Sequence, residues 1–271
     1  MYKLIAFDMD GTLLDSEHRI SEKTIEAIKK ATALGKVVAF CTGRAPAEIR
    51  EYFDVVPEVR YSICTNGAIL YDIKERKSIY EKPIPPELVI KLFDEANTEP
   101  HFIQFFTHDV FFSCFDDEKL KAAGLYIYKD LYDRVAIVNE NLEEEYRKNP
   151  FPIPKLSLHF LKYDSYERVR ASIEEQGLPL AINHQNAQTI ENTIKGVTKG
   201  EALRELCAHL GIDISETIAV GDSDNDLDAI RTAALGIAMA NASENVKKEA
   251  DVIVADNDHD GCAEAIEKYL L

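Results

Sequence analysis

The sequence predicts an α/β protein, a doubly wound parallel sheet with a smaller α+β module inserted into it. Short apolar runs alternate with amphipathic stretches in the N-terminal part of the chain, and the same alternation returns from Lys199 onward. Between them lies a region of different texture, rich in proline and aromatic residues. Buried strands that alternate with helices imply parallel pairing through crossover helices.

The elements follow in order. Lys3 to Phe7 is a short apolar run ending at Asp8 and reads as a buried strand. Ile25, Ile28, Ala31 and Leu34 recur on one helical face, with Ser21 as N-cap and Gly35 as the stop. Val37 to Cys41 is the next strand. A polar Thr-Gly-Arg turn follows it, and a helix is expected from Pro46, because proline suits the first helical position. Asn66-Gly67 is a hairpin-turn signal. Pro83, Pro85 and Pro86 mark a linker. Beyond it, Phe102 to Phe106 and Val110 to Phe115 read as strands. Lys155 to Leu161 alternates apolar and polar residues, as a half-buried strand does. Asp164 to Glu175 reads as a helix and Leu180 to Asn183 as extended chain. These limits give an insert over residues 83–187 and a core made of residues 1–82 and 188–271. The second part of the core holds a helix from Lys199 to Leu210 stopped by Gly211, a strand from Thr217 to Val220, and a helix from Asp226 to Arg231. Strands at Leu235 to Met239 and Val252 to Val254 and a helix from His259 to Leu271 complete it.

Composition narrows the function. With 271 residues, 46% hydrophobic and 29% charged, the chain has ordinary globular usage, which excludes a disordered, collagen-like or disulfide-stapled protein. Thirty-one basic against 48 acidic side chains give a net charge of −17. Such a surface repels nucleic acid and anionic membranes at long range, so neither is expected as a partner. An anionic substrate needs local compensation. Cys41, Cys64, Cys114, Cys207 and Cys262 are widely spaced and odd in number, which suits reduced thiols and a cytoplasmic location. The first residues reach Asp8 too soon for a secretory signal, and no apolar run approaches the length of a membrane span.

In open α/β sheets, ligands bind beyond the carboxyl ends of the strands. Those ends carry Asp8-Met9-Asp10-Gly11-Thr12, Thr42-Gly43-Arg44, Thr65-Asn66-Gly67 and Gly221-Asp222-Ser223-Asp224-Asn225-Asp226. Carboxylates crowded together repel unless a cation sits among them. Oxygen ligands without a His or Cys cluster suit Mg²⁺ better than Zn²⁺, and Mg²⁺ favours phosphate oxygens. The pattern therefore points to phosphoryl transfer. Lys199 stands at a helix N-terminus, where it opposes the helix dipole, a sign of another partner.

Asp8 to Leu14, Thr42-Gly43-Arg44, Lys199-Gly200 and Gly221-Asp222 with Asn225-Asp226 match, in order, the four motifs of the haloacid dehalogenase superfamily. Nearly the whole chain resembles that superfamily's Cof-like sugar-phosphate phosphatases. Ala238 to Ala242 and Asp260-Gly261 resemble C-terminal blocks of the subfamily. Ala240, Val254 and Cys262 depart from its usual glycine, threonine and valine, which touches fine tuning. The short spacing from Asp10 to Thr42 leaves no room for a cap, and the long one from Thr42 to Lys199 does, as in type-IIB capped members.

The resemblance implies a Rossmann-like core, an inserted α+β cap and a Mg²⁺-dependent phosphatase acting on small phosphorylated metabolites. It implies Asp8 as nucleophile, forming an aspartyl-phosphate, and Asp10 as general acid and base. Asp8, Asp222 and the Asp10 backbone carbonyl are the implied metal set, with Asn225 or Asp226 orienting it or adding a ligand, and Asn225 is also placed on the phosphate side. Thr42, the Gly43 amide and Lys199 are the implied phosphate contacts, and Arg44 either pairs with phosphate or braces a neighbouring acidic residue. The insert histidines His101, His108, His159 and His184 read as surface or packing residues. A phosphomutase of the phosphomannomutase kind and a catalytically silent binding protein on the same fold are the alternatives. A monomer or homodimer is expected.

Overall fold

The computed structural model describes residues 1–183 and 188–271; His184 lies outside them. In chain order the strands are β1 Leu4–Phe7, β2 Val37–Cys41, β3 Tyr61–Cys64, β4 Ile69–Asp72, β5 Lys77–Glu81, β6 His101–Phe106 and β7 Val110–Phe112. There follow β8 Ala136–Val138, β9 Lys155–Phe160, β10 Leu180–Asn183, β11 Thr189–Ile194, β12 Thr217–Gly221, β13 Leu235–Met239 and β14 Val252–Val254. The chain divides into two compact units. One comprises Met1–Arg44, Ile49–Glu81 and Val197–Leu271; the other comprises Ala45–Glu48 and Lys82–Gly196.

The first unit is built on a sheet of order β14-β13-β12-β1-β2-β3-β4-β5. Pairing is parallel from β14 to β3, and β4 and β5 add an antiparallel edge. The hairpin signal at Asn66-Gly67 thus lies where β3 turns back into β4. Successive side chains of β1 go to opposite faces: Ile5 and Phe7 join the core with Ile28 and Ile266, while Leu4 and Ala6 join Leu203 and Leu206. The helix Glu22–Ala33 is capped by the Ser21 hydroxyl, which accepts from the Thr24 amide at 3.2 Å. The helix expected from Pro46 is a 3-10 segment, Pro46–Tyr52, in place of an α-helix. The C-terminal helix runs as α over Gly261–Ala265 and then widens into a π turn, Ile266–Leu270. No helix among the described residues is long and apolar enough to cross a membrane.

The second unit has a sheet of order β10-β11-β9-β6-β7-β8. β11 pairs antiparallel with both β10 and β9, so Thr189–Ile194 belongs to this sheet, and residues 188–196 lie in the second unit and not, as the sequence suggests, in the core. The polar alternation of Thr189, Glu191 and Thr193 concealed a buried central strand. The same happens in β9, which is buried at every position instead of half-buried. Its Leu156, Leu158 and Phe160 join the apolar cluster containing Leu92, Val169 and Ile173. Lys155, Ser157 and His159 occupy the other face. There Lys155 Nζ sits 3.2 Å from Glu191 Oε1 and 3.8 Å from the Phe106 ring centroid.

His159 is a packing residue. Its ring stacks on Phe102 at 4.7 Å, with Nδ1 2.9 Å from Thr189 Oγ1 and Nε2 3.0 Å from Gln104 Oε1. Burial, aided by the Lys155 charge, pushes its pKa down from 6.5 to about 3. The unfolded chain therefore takes up this proton first on acidification. His159 permits full stability above about pH 6.5 and costs stability progressively as pH falls from there toward about 3. A His159→Gln variant is expected to show a shallower decline of Tm across that window than the parent protein; parallel curves would refute the assignment.

Candidate active site

Parallel register brings the acidic strand ends together. Phe7 pairs with Val220 and with Phe40, so Asp8, the Gly221-Asp222 segment and the Cys41-Thr42 segment leave the sheet side by side. The Asp8 amide continues the ladder by donating to the Val220 carbonyl at 2.9 Å. Asp8, Asp222 and Asp226 each offer a carboxylate oxygen within 4.8 Å of the others. Gly11, with φ of +78°, makes room for this approach, since a Cβ there would stand 2.6 Å from Asp222 Oδ2. The Thr12 hydroxyl donates to Asp222 Oδ1 at 2.8 Å.

Lys199 enters the cluster from the first position of the helix Lys199–Leu210. The Thr198 hydroxyl caps that helix by accepting from the Glu201 amide, and it also donates to Asp228. Lys199 is 1% exposed, and Nζ donates to Asp8 Oδ1 at 2.5 Å and to Asp226 Oδ1 at 2.6 Å. The other Asp226 oxygen accepts from the Asp222 and Ser223 amides at 3.0 and 3.1 Å. Fully ionised, three carboxylates against one ammonium would leave an excess of two negative charges.

The electrostatics follow. Burial, then repulsion from the Asp226 and Asp222 carboxylates, raises the Asp8 pKa well above its ordinary value, with Lys199 opposing. Burial pushes Asp222 up to about 6 against the Thr12 hydrogen bond, and the Asp226 charge adds to the rise. For Lys199, burial alone would favour the neutral amine, but Asp226 and Asp8 reverse this and raise its pKa. The Cys41 and Cys262 thiols are buried near the same charges and both are pushed up, so they stay protonated.

Asp10 stands apart from the three carboxylates. Arg44 grips it bidentately, Nε to Oδ2 at 2.8 Å and Nη2 to Oδ1 at 2.6 Å. This is the contact by which Arg44 would brace a neighbouring acidic residue. Its guanidinium also lies 5.9 Å from the Tyr52 ring centroid. Thr42 is buried; its amide donates to the Ile63 carbonyl at 2.7 Å and its hydroxyl accepts from the Arg44 amide at 3.1 Å. Asn225 is exposed, and its Oδ1 accepts from the Ser223 hydroxyl at 2.7 Å.

Two further residues shape the site without having been singled out in the sequence. Thr12 orients Asp222, and Asn241 Nδ2 donates to the Gly11 carbonyl at 2.7 Å, tying the first strand-end loop to the C-terminal part of the chain. Both lie inside blocks whose resemblance was legible. Their partners are more than two hundred residues away in sequence, and only the fold supplies them.

Comparison with known proteins gives the family and the fold. The model of one family, described as haloacid dehalogenase-like hydrolase, matches residues 5–266. The 5-amino-6-(5-phospho-D-ribitylamino)uracil phosphatase YcsE of Bacillus subtilis is 32% identical, over 99% of this chain and 96% of that protein. A haloacid dehalogenase-like hydrolase from Bacteroides thetaiotaomicron superposes with a TM-score of 0.86 at 27% identity, covering 99% of each chain. The subclass IIB sugar phosphatase BT4131 superposes with a TM-score of 0.80 at 28% identity, over 99% of this chain and all of that one.

Proposed function

The chain belongs to the haloacid dehalogenase-like hydrolase family, and from that premise we propose a Mg²⁺-dependent phosphatase that hydrolyses small phosphate monoesters through an aspartyl-phosphate. The observation that carries this reading is the cluster of buried Asp8 and Asp226 with half-buried Asp222, in which Lys199 bridges Asp8 and Asp226. The donor set fits a hard divalent cation: all oxygens, two surplus negative charges when fully ionised, and a glycine that lets Asp222 approach. Asp8 and Asp222 would hold the ion with the Asp10 carbonyl, and Asp226 and Asn225 would support them. When bound, Mg²⁺ supplies charge neutralisation for the transferring phosphoryl group.

The remaining roles belong to the chain. Asp8 attacks phosphorus and the ester oxygen leaves with the proton of Asp10; Asp10 then accepts a proton from the water that cleaves the aspartyl-phosphate. Arg44 holds the Asp10 carboxyl by both oxygens and so fixes its direction. Thr42, the Gly43 amide and Lys199 hold the phosphoryl oxygens, where charge is spread in the transition state. Lys199 together with a bound Mg²⁺ would supply the local compensation that a chain of net charge −17 needs. The unit Lys82–Gly196 serves as the cap that selects the leaving group. A ribityl phosphate and a sugar phosphate share a hydroxyl-rich alcohol as leaving group, and we place this chain's substrates in that class. A screen of phosphate release over sugar, polyol and cofactor monoesters tests the reading; no release from any ester by folded, Mg²⁺-supplied protein would refute it.

Metal removal gives a sharper result. EDTA is expected to abolish phosphate release and Mg²⁺ to restore it. At a hundredfold excess over Kd, Mg²⁺ adds about 2.7 kcal/mol of stability, visible as a higher Tm. Ligand carboxylates must be deprotonated, so with Asp222 raised to about 6 the affinity weakens as pH falls through 6. A Tm indifferent to Mg²⁺ at pH 8 would contradict the assignment.

A further inference from the structure

The turn between β3 and β4 does more than reverse the chain. Thr65, Asn66 and Gly67 are consecutive residues with φ of +51°, +57° and +102°. A β-branched residue avoids this region, and Thr65 stays there with its side chain fully buried. The backbone of the turn is fastened to the phosphate loop: the Thr65 amide donates to the Arg44 carbonyl at 2.9 Å and the Asn66 amide to the Thr42 carbonyl at 3.1 Å. Gly67 packs so closely on the Thr198 carbonyl, at the start of the Lys199 helix, that a Cβ would overlap it.

The Asn66 side chain completes the arrangement. Its Oδ1 lies 3.0 Å from where a Cβ of Gly43 would stand, and it accepts from Asn225 Nδ2 at 3.4 Å. The Asn66 amide thus stands beside Gly43, where it leaves little room for a side chain, and accepts from Asn225, so it lies between two loops far apart in sequence, Thr42-Gly43-Arg44 and Gly221 to Asp226. We propose that Asn66 is a positioning residue, a brace that sets the spacing between the Gly43 amide and the Asn225 loop and thereby the fit of a phosphoryl group. This deepens the phosphatase reading and rests on it. A brace of this kind acts on ground-state and transition-state phosphoryl contacts together, so its loss falls on phosphate affinity more than on the chemical step.

The test uses Asn66→Gly, Asn225→Ala and the double variant. Glycine adopts the +57° backbone freely, so the first change deletes the amide and spares the turn. Asn225 is exposed, so the second variant is expected to fold, and an unchanged Mg²⁺ dependence in it separates loss of the brace from loss of support for the metal. The measurements are kcat and KM for p-nitrophenyl phosphate and the inhibition constant of inorganic phosphate. Each single variant is expected to raise KM and the phosphate inhibition constant together by about tenfold or more, with a smaller change in kcat. The double variant is expected to cost no more than the worse single one, since both break the same contact. Constants within twofold of the parent, or losses that multiply in the double variant, would overturn the brace. Absence of activity in the parent would overturn the phosphatase reading instead, and calorimetric binding of inorganic phosphate by the same three variants would then decide for or against the brace.

Discussion

Asp8→Asn is expected to fold normally and to lose at least about 10⁴-fold in phosphate release, the scale of removing a nucleophile. Both halves follow from the geometry. Asparagine has the same shape, and its Oδ1 can still accept the Lys199 hydrogen bond that Asp8 accepts at 2.5 Å. The substitution removes one of three mutually repelling carboxylates from a buried cluster, the repulsion that, with burial, holds the Asp8 pKa high. The metal-free variant should therefore match or exceed the parent in Tm. It should gain less from Mg²⁺, having lost one ligand. The amide is too weak a nucleophile to form the covalent intermediate, so no phosphate burst is expected. Release above one part in a hundred of the parent rate, in a preparation free of host phosphatase, would remove Asp8 from the role.

Lys199→Met gives the largest expected loss of stability. The ammonium is fully buried and bridges Asp8 and Asp226 at 2.5 and 2.6 Å. Removing one partner of a buried ion pair leaves its carboxylates uncompensated, which costs about 3–5 kcal/mol, a fall in Tm of roughly 5–10 °C. The loss has a pH signature. Asp8 and Asp222 already bind protons more tightly than free carboxyls do, and loss of the cation strengthens that tendency. The native state then holds protons that the unfolded chain has released. The destabilisation is therefore smallest in acid and grows as pH rises through 6. Mg²⁺ should restore part of the stability and little of the activity, because a contact to the phosphoryl oxygens is gone; the rate should fall about 10²–10³-fold. An unchanged Tm and rate at pH 8 would remove Lys199 from the site.

Much of the architecture was legible because it is written in local patterns. β2, β13, β14 and the helix Lys199–Leu210 lie where apolar runs, periodicity and the stop at Gly211 put them. The strings after β1 and β12 were legible as chemistry because acidic residues crowd there at the end of apolar runs. The misreadings share one cause. β9 and β11 alternate polar residues like strands with a wet face, yet both are buried, because they lie inside the sheet and their polar groups meet each other. Lys155 facing Glu191 is invisible in either segment alone. The seam after β11 was missed for the same reason.

The sequence by itself determined which chemical groups stand at the strand ends, that they are oxygen donors with one lysine among them, and that an insert long enough for a second sheet separates Thr42 from Lys199. Tertiary structure alone decided their relations. It set Lys199 against Asp8 across 191 positions, gave Arg44 to Asp10, and laid Asn66 between Gly43 and Asn225. The physical reason is that strand register and the exclusion of water are properties of the whole fold. Parallel pairing of β1 with β2 and β12 places the loops, and burial then makes each neighbouring charge count.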